Sequence, residues 1–227
     1  PKPAVDWYTK AAKSLSRMYL NNEWGDCVFA GKGHNLGVWS ANDPDSGPEI
    51  EATDKEILDQ YLAYTGGRDN GAVIFQVLDY MVQKGFLAGG KRYKLDGYVS
   101  ADWRSKELTQ IGIDLFGCGS IGINLPSAWT SEAVWDVTNT RIVGGHDVSP
   151  VGYGANVLGT TADGVVVSSW GRLYLITWRA WTSSNWLDEL YFMVPSFLWT
   201  GLDQRAPSGV DLTTLKAHLK AIGGGVV

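Results

Sequence analysis

Followed from its amino end, the chain changes rhythm near residue 116. Before that point apolar residues recur at helical spacing. Residues 53–64 (TDKEILDQYLAY) open with a T-x-x-E pattern, in which Thr53 and Glu56 satisfy each other's backbone N–H groups. After a turn at 65–71 (TGGRDNG), residues 72–84 predict a second helix, ended by Gly85 as C-cap. A third is predicted over 27–39, with Asp26 as N-cap and Val28, Leu36 and Trp39 as apolar positions. Residues 9–20 predict a short helix or an irregular stretch, 41–49 (ANDPDSGPE) a loop, and 103–116 a further helix. Residues 93–99 alternate like a strand. Beyond 116 the period shortens to two or the residues run apolar at strand length: 120–125 (SIGINL), 146–154 (HDVSPVGYG), 165–170 (VVVSSW), 173–178 (LYLITW) and 188–194 (DELYFMV). A closing helix is expected over 210–222. Helices first and an antiparallel sheet later mean an α+β fold in two lobes. The expectation is a single domain over 1–227, with a mainly helical lobe at about 20–115 and a mainly β lobe at about 116–200.

Composition narrows this picture. The 227 residues, 44% hydrophobic, are enough for one large core, and the 11 Trp and 28 Gly favour a groove-rich, loop-rich domain over a helical bundle. Net charge is −5, with no cluster of Lys or Arg, which argues against a nucleic-acid partner held through phosphates. No apolar run reaches the length of a membrane span. The two cysteines, Cys27 and Cys118, cannot build a disulfide framework, although one bridge between them stays open. That is compatible with the cytoplasm or a viral particle. The chain starts at Pro1 without Met, leaving open an upstream signal, propeptide or vector segment. Compartment and oligomeric state are not legible.

Cysteine catalysis needs a thiolate, hence an imidazole or a helix N-terminus nearby. Of the three histidines, His34 lies seven residues along the helix from Cys27, roughly 10 Å of rise and too far for proton transfer. His218 lies among lysines on the closing helix. His146 follows Gly144-Gly145 and opens a β-like run, so by elimination it is the partner for Cys27. Taken alone, Cys27 reads more readily as a buried core thiol. No metal-ligand spacing links the Cys and His residues, and GKGHNLG (31–37) lacks dinucleotide-loop spacing.

In order along the chain, VDW (5–7), GDCVFA (25–30), DNGAVIFQVLDYMVQKG (69–85), GHDVSPVGYG (145–154) and VVVSSWG (165–171) together resemble the papain-like cysteine peptidases. The resemblance implies a papain-like two-lobed fold with an active-site cleft between a helical lobe carrying Cys27 and a β-rich lobe carrying His146. It implies peptide or amide hydrolysis through a thioester, a peptide or protein substrate, and no cofactor. By the same resemblance Ser168 stands where the family has its histidine-orienting Asn, two residues before Trp170, which supports the site. Asn21, with Asn22 beside it, stands where the family has its oxyanion-hole Gln. Val28 replaces the usual aromatic after the nucleophile. Asp26 puts a carboxylate beside the thiol, which opposes thiolate formation unless it caps the helix. Asp147 points to the opposite strand face from His146. Trp24 and Ala72 stand where disulfide cysteines often occur, and Cys118 reads as core. Segments 65–75 and 124–146 are expected to wall the groove. Two other functions compete: a catalytically degraded domain serving as a binding or structural protein, for example in a phage or virion, and a cell-wall amidase.

Overall fold

The computed structural model describes residues 1–43, 47–183 and 185–196, and beyond them Asp211, Thr213, Thr214 and Ala217. The closing helix expected over 210–222, with His218, otherwise lies outside the described residues. A two-residue strand, Val5–Asp6 (β1), and one helical turn, Ala12–Leu15 (α1), precede the long helix Cys27–Asn42 (α2). Only that one turn of the expected 9–20 element is helical. Two helices follow, Asp54–Thr65 (α3) and Ile74–Lys84 (α4), each closed by a glycine at positive φ, Gly66 and Gly85. The Thr53–Glu56 capping box is present at the start of α3. Next come a small hairpin, Phe86–Ala88 (β2) and Lys91–Tyr93 (β3), then strand Leu95–Ala101 (β4) and helix Lys106–Phe116 (α5).

The second half supplies Gly119–Pro126 (β5), Val134–Trp135 (β6), Ile142–Ala155 (β7), Asp163–Ser169 (β8), Arg172–Thr177 (β9), a short helix Trp178–Trp181 (α6) and Leu187–Pro195 (β10). The large sheet runs β4-β10-β5-β7-β8-β9-β6, with β1 alongside β7. All its pairings are antiparallel except β6 with β9. The lobe boundary drawn near residue 115 is therefore crossed: β4, from the helix-rich half, forms one edge of the sheet. Strand β7 is shared between two partners. Its first half pairs β5, placing His146 opposite Ile123, and its second half pairs β8, placing Ser149 opposite Ser168.

Helix α2 lies against β7 and β8, and from Val28 to Ser40 every residue is buried. A helix covered on all sides needs small residues where neighbours come close. A Cβ on Gly37 would fall 1.8 Å from Ser14 Oγ, and one on Gly31 would fall 2.7 Å from Asp147 Oδ2. In the β-rich half the same core is aromatic: Trp129 stacks on Trp135 at 5.2 Å, and Trp135 meets Tyr174 at 4.5 Å. Among the described residues no helix is long and apolar enough to cross a membrane.

Candidate active site

Cys27 is the first residue of α2, so its thiol sits where unpaired N–H groups and the helix dipole favour negative charge. It lines a cleft of about 950 Å³ together with His146, Trp170, Asn21 and Trp24. The walls come from residues 70–74, with Tyr64, Thr65 and Gln76, on one side, and from 122–125 and 143–147 on the other. These include parts of both segments expected to wall the groove. The two cysteines are both free; Cys27 is partly exposed and Cys118 is buried in the core.

His146 is held from behind and from one face. Its Nε2 lies 2.6 Å from Ser169 Oγ, and its ring stacks on Trp170 at 4.4 Å and 15°. Trp170 itself occupies a left-handed backbone position, φ +47°, in the turn from β8 to β9. The hydroxyl at His146 is thus Ser169, not Ser168 as the spacing to Trp170 implied. Adjacent residues on a strand face opposite ways. Ser168 turns toward α2, where its hydroxyl meets His34 Nδ1 at 3.0 Å. His34 Nε2 lies 3.0 Å from the Arg17 carbonyl, so Nε2 carries the hydrogen and Nδ1 accepts from Ser168. His34 is fully enclosed and pushed down to about 4 by burial, a structural histidine that sews α2 to β8.

Asp26 does not cap α2: its side chain makes no capping bond. Its carboxylate is buried, with Oδ1 accepting from Asn21 Nδ2 at 3.0 Å and Oδ2 without a hydrogen-bond partner. Burial pushes its pKa up to about 7. Asn21 also directs Nδ2 toward the Trp24 carbonyl at 3.4 Å, so its amide hydrogens are engaged within the loop. Asn22 is exposed and does not line the cleft, so it is not brought to the site.

Burial also disfavours the charged forms of Cys27 and His146. It pushes the Cys27 thiol up to about 12, aided by the nearby Asp147 and Asp26 carboxylates and opposed by the Asp147 backbone N–H. It pushes the His146 imidazole down to about 4.

Two outcomes follow from these contacts. Ser169→Ala is expected to lower kcat/KM about tenfold with little loss of Tm, since His146 loses its rear partner. Ser168→Ala is expected to do the reverse, costing about 1–2 kcal/mol by unpairing a buried imidazole nitrogen. Equal effects of the two in paired kinetic and melting measurements would refute the assignment. For Asp26, the folded protein holds a proton between about pH 4 and 7 that the unfolded chain has released, so its contribution to stability falls as pH rises through that window. His34 and His146 act in the opposite sense. The Tm advantage of Asp26→Asn over the parent is therefore expected to widen from pH 5 to pH 8. A constant difference across that range would show that Asp26 is ionised throughout.

No protein-family model matches the chain, and no curated protein matches it. Solved structures do. Xylellain, a cysteine protease from Xylella fastidiosa, superposes with TM-score 0.63 at 15% identity, covering 85% of this chain and 86% of that one. The Carica candamarcensis cysteine protease CMS1MS2 gives TM-score 0.62 at 17% identity, covering 86% of this chain and 99% of that one. The fold is papain-like. The bromelain protease of Ananas comosus, at TM-score 0.59 and 10% identity over 86% of this chain and 99% of its own, has the same architecture. Within that papain-like fold, Cys27 heads the helix that faces the sheet and His146 occupies the strand across the cleft. Lys32, which sequence reasoning passed over, emerges as part of the site's surroundings. The signal for it was present, because it is the lone Lys, Arg, Asp or Glu in the sixteen residues of α2.

Proposed function

We propose that the protein is a cysteine hydrolase that cleaves peptide or amide bonds, with Cys27 as nucleophile and His146 as general base and acid. The observation that carries this reading is the meeting of Cys27, at a helix N-terminus, and His146, braced by Ser169 and Trp170, in one open cleft. His146 takes the thiol proton as sulfur attacks the carbonyl carbon, giving a tetrahedral oxyanion. The Cys27 backbone N–H and the Asn21 side chain, once released from Asp26, are the donors available to that oxyanion. Collapse expels the amine with the proton from His146 and leaves a thioester. Water, deprotonated by His146, then releases the acid and regenerates the thiol.

Among the described residues that line the cleft, Asp188 and Glu189 stand on its β wall and none is Lys or Arg, a field that favours cationic side chains in the substrate. Digestion of a denatured protein, with the cut sites mapped, tests both statements. The expected result is cleavage enriched near Lys or Arg. It should be lost when Cys27 is alkylated by a haloacetamide, which should label Cys27 ahead of the buried Cys118. Equal labelling of the two thiols, or no cleavage at any pH, sinks the enzymatic reading. A second reading, a binding domain that retains the fold without the chemistry, is favoured by one observation: the Asn21 amide is turned to Asp26. On that reading Cys27→Ala leaves function intact.

A further inference from the structure

Beneath the thiol, reaching the cleft wall through Asp147, lies a cluster that the proposed reaction does not use. Lys32, one turn and a half along α2 from Cys27, is fully buried, as is Asp147, the residue after His146. Lys32 Nζ lies 3.3 Å from Asp147 Oδ2 and 2.6 Å from Ser120 Oγ on β5, and Ser120 donates to Asp147 Oδ1 at 2.7 Å. Three elements thus meet through one cation, one anion and one hydroxyl. Gly31 makes room for the carboxylate, and Ser149 Oγ donates to the Gly31 carbonyl at 3.2 Å beside it. Two buried charges are costly to hold, and apolar residues of equal volume would serve cohesion at least as well. The position of this pair is specific: it joins the nucleophile's helix to the base's strand, within one residue of His146.

We propose that the Lys32–Asp147–Ser120 cluster is a charge-balanced clamp that positions Cys27 against His146 and keeps the Asp147 carboxylate from suppressing thiolate formation. Asp147 is needed to anchor β7 on α2, but its charge lies close enough to the thiol to oppose ionisation. Lys32 cancels that charge from the far side. Among the described residues, the other charged or titratable groups near the thiol or the clamp are His146 on β7, Asp26 before α2 with Asp69 and Asp54 behind it, His34 on α2 and Cys118 before β5, both beside Lys32, and Glu189 on β10, which faces Asp147. Apart from the histidines these are acids, so Lys32 is the cation available for the task. The inference rests on Cys27 and His146 being the reacting pair, but its readout is the thiol itself.

The test is the pH profile of Cys27 alkylation by iodoacetamide in full-length protein carrying Cys118→Ala. Lys32→Met leaves the Asp147 carboxylate without its cation, and at pH values where that buried group is ionised alkylation is expected to slow roughly tenfold, with the profile moved to higher pH. Asp147→Asn leaves the cation and is expected to move rate and profile the opposite way. The uncharged pair Lys32→Met/Asp147→Asn is expected to return to within about threefold of the parent, and it keeps the test alive if either single variant fails to fold. Loosening of the fold alone would move both single variants in the same direction, and that result overturns the proposal, as does a double variant as slow as Lys32→Met. If Cys27 obeys these profiles yet no peptide is cut, the hydrolase reading falls and the clamp stands.

Discussion

Replacing Cys27 with Ala is expected to lower kcat/KM for peptide hydrolysis by at least about 1,000-fold, with Tm almost unchanged. A nucleophile removed from a unit of cooperating groups costs nearly the whole chemical advantage, up to about a millionfold in the best-studied hydrolase triad. Stability should barely move, because Cys27 is a small side chain partly exposed in the cleft. The stronger form of the experiment is a cycle with His146→Ala. If sulfur and imidazole act as one device, the double variant is no slower than the worse single one. Multiplying losses would mean that the two side chains serve separate purposes, and residual hydrolysis by Cys27→Ala at the parent rate would remove Cys27 from the mechanism altogether.

Trp135→Ala is expected to be the most destabilising single change among the aromatic residues, by about 3–5 kcal/mol. Its ring is fully buried, stacked on Trp129 at an interplanar angle of 7°, tilted against Tyr174 and edge-on to Trp170, with Nε1 donating to the Glu132 carbonyl at 3.1 Å. Against a typical total of about 5–15 kcal/mol, that loss should depress Tm by about 10 °C. Activity at a temperature where the variant is still folded should fall as well, because Trp170, which leans on Trp135, is the surface on which the His146 ring rests. A melting curve and kcat measured at 15 °C separate the two effects. A variant that melts early but turns over at the parent rate would show that Trp170 holds its place without Trp135.

The helices and the strands carrying the site were legible because their signals are local: the Thr53–Glu56 box, glycine stops, and runs of period two. The start of α2 at Cys27 was legible for the same reason. What escaped was decided by tertiary partners. Counting back from Trp170 cannot distinguish Ser168 from Ser169, since one step along a strand exchanges faces, and the choice is made by what each face meets: His34 on α2 or His146 in the cleft. Asp26 reads as a cap by residue type, yet Asn21 and the loop claim its carboxylate. His34 was set aside correctly by helical distance, but its role as a link from α2 to β8 and the Arg17 carbonyl needed the fold. Lys32 was passed over because its meaning depends on the enclosure of α2, which the sequence of the helix alone does not give.

The hydroxyl behind His146 has a consequence for the proton that the proposed hydrolysis moves. An amide carbonyl in that place would only accept, and so would dictate which ring nitrogen bears hydrogen. Ser169 Oγ rotates between giving and receiving, so it is compatible with both neutral tautomers and with the imidazolium. The resting ring is then free to present a bare nitrogen to the thiol or a hydrogen to a leaving amine without turning over, and the choice passes from the scaffold to whatever lies in the cleft.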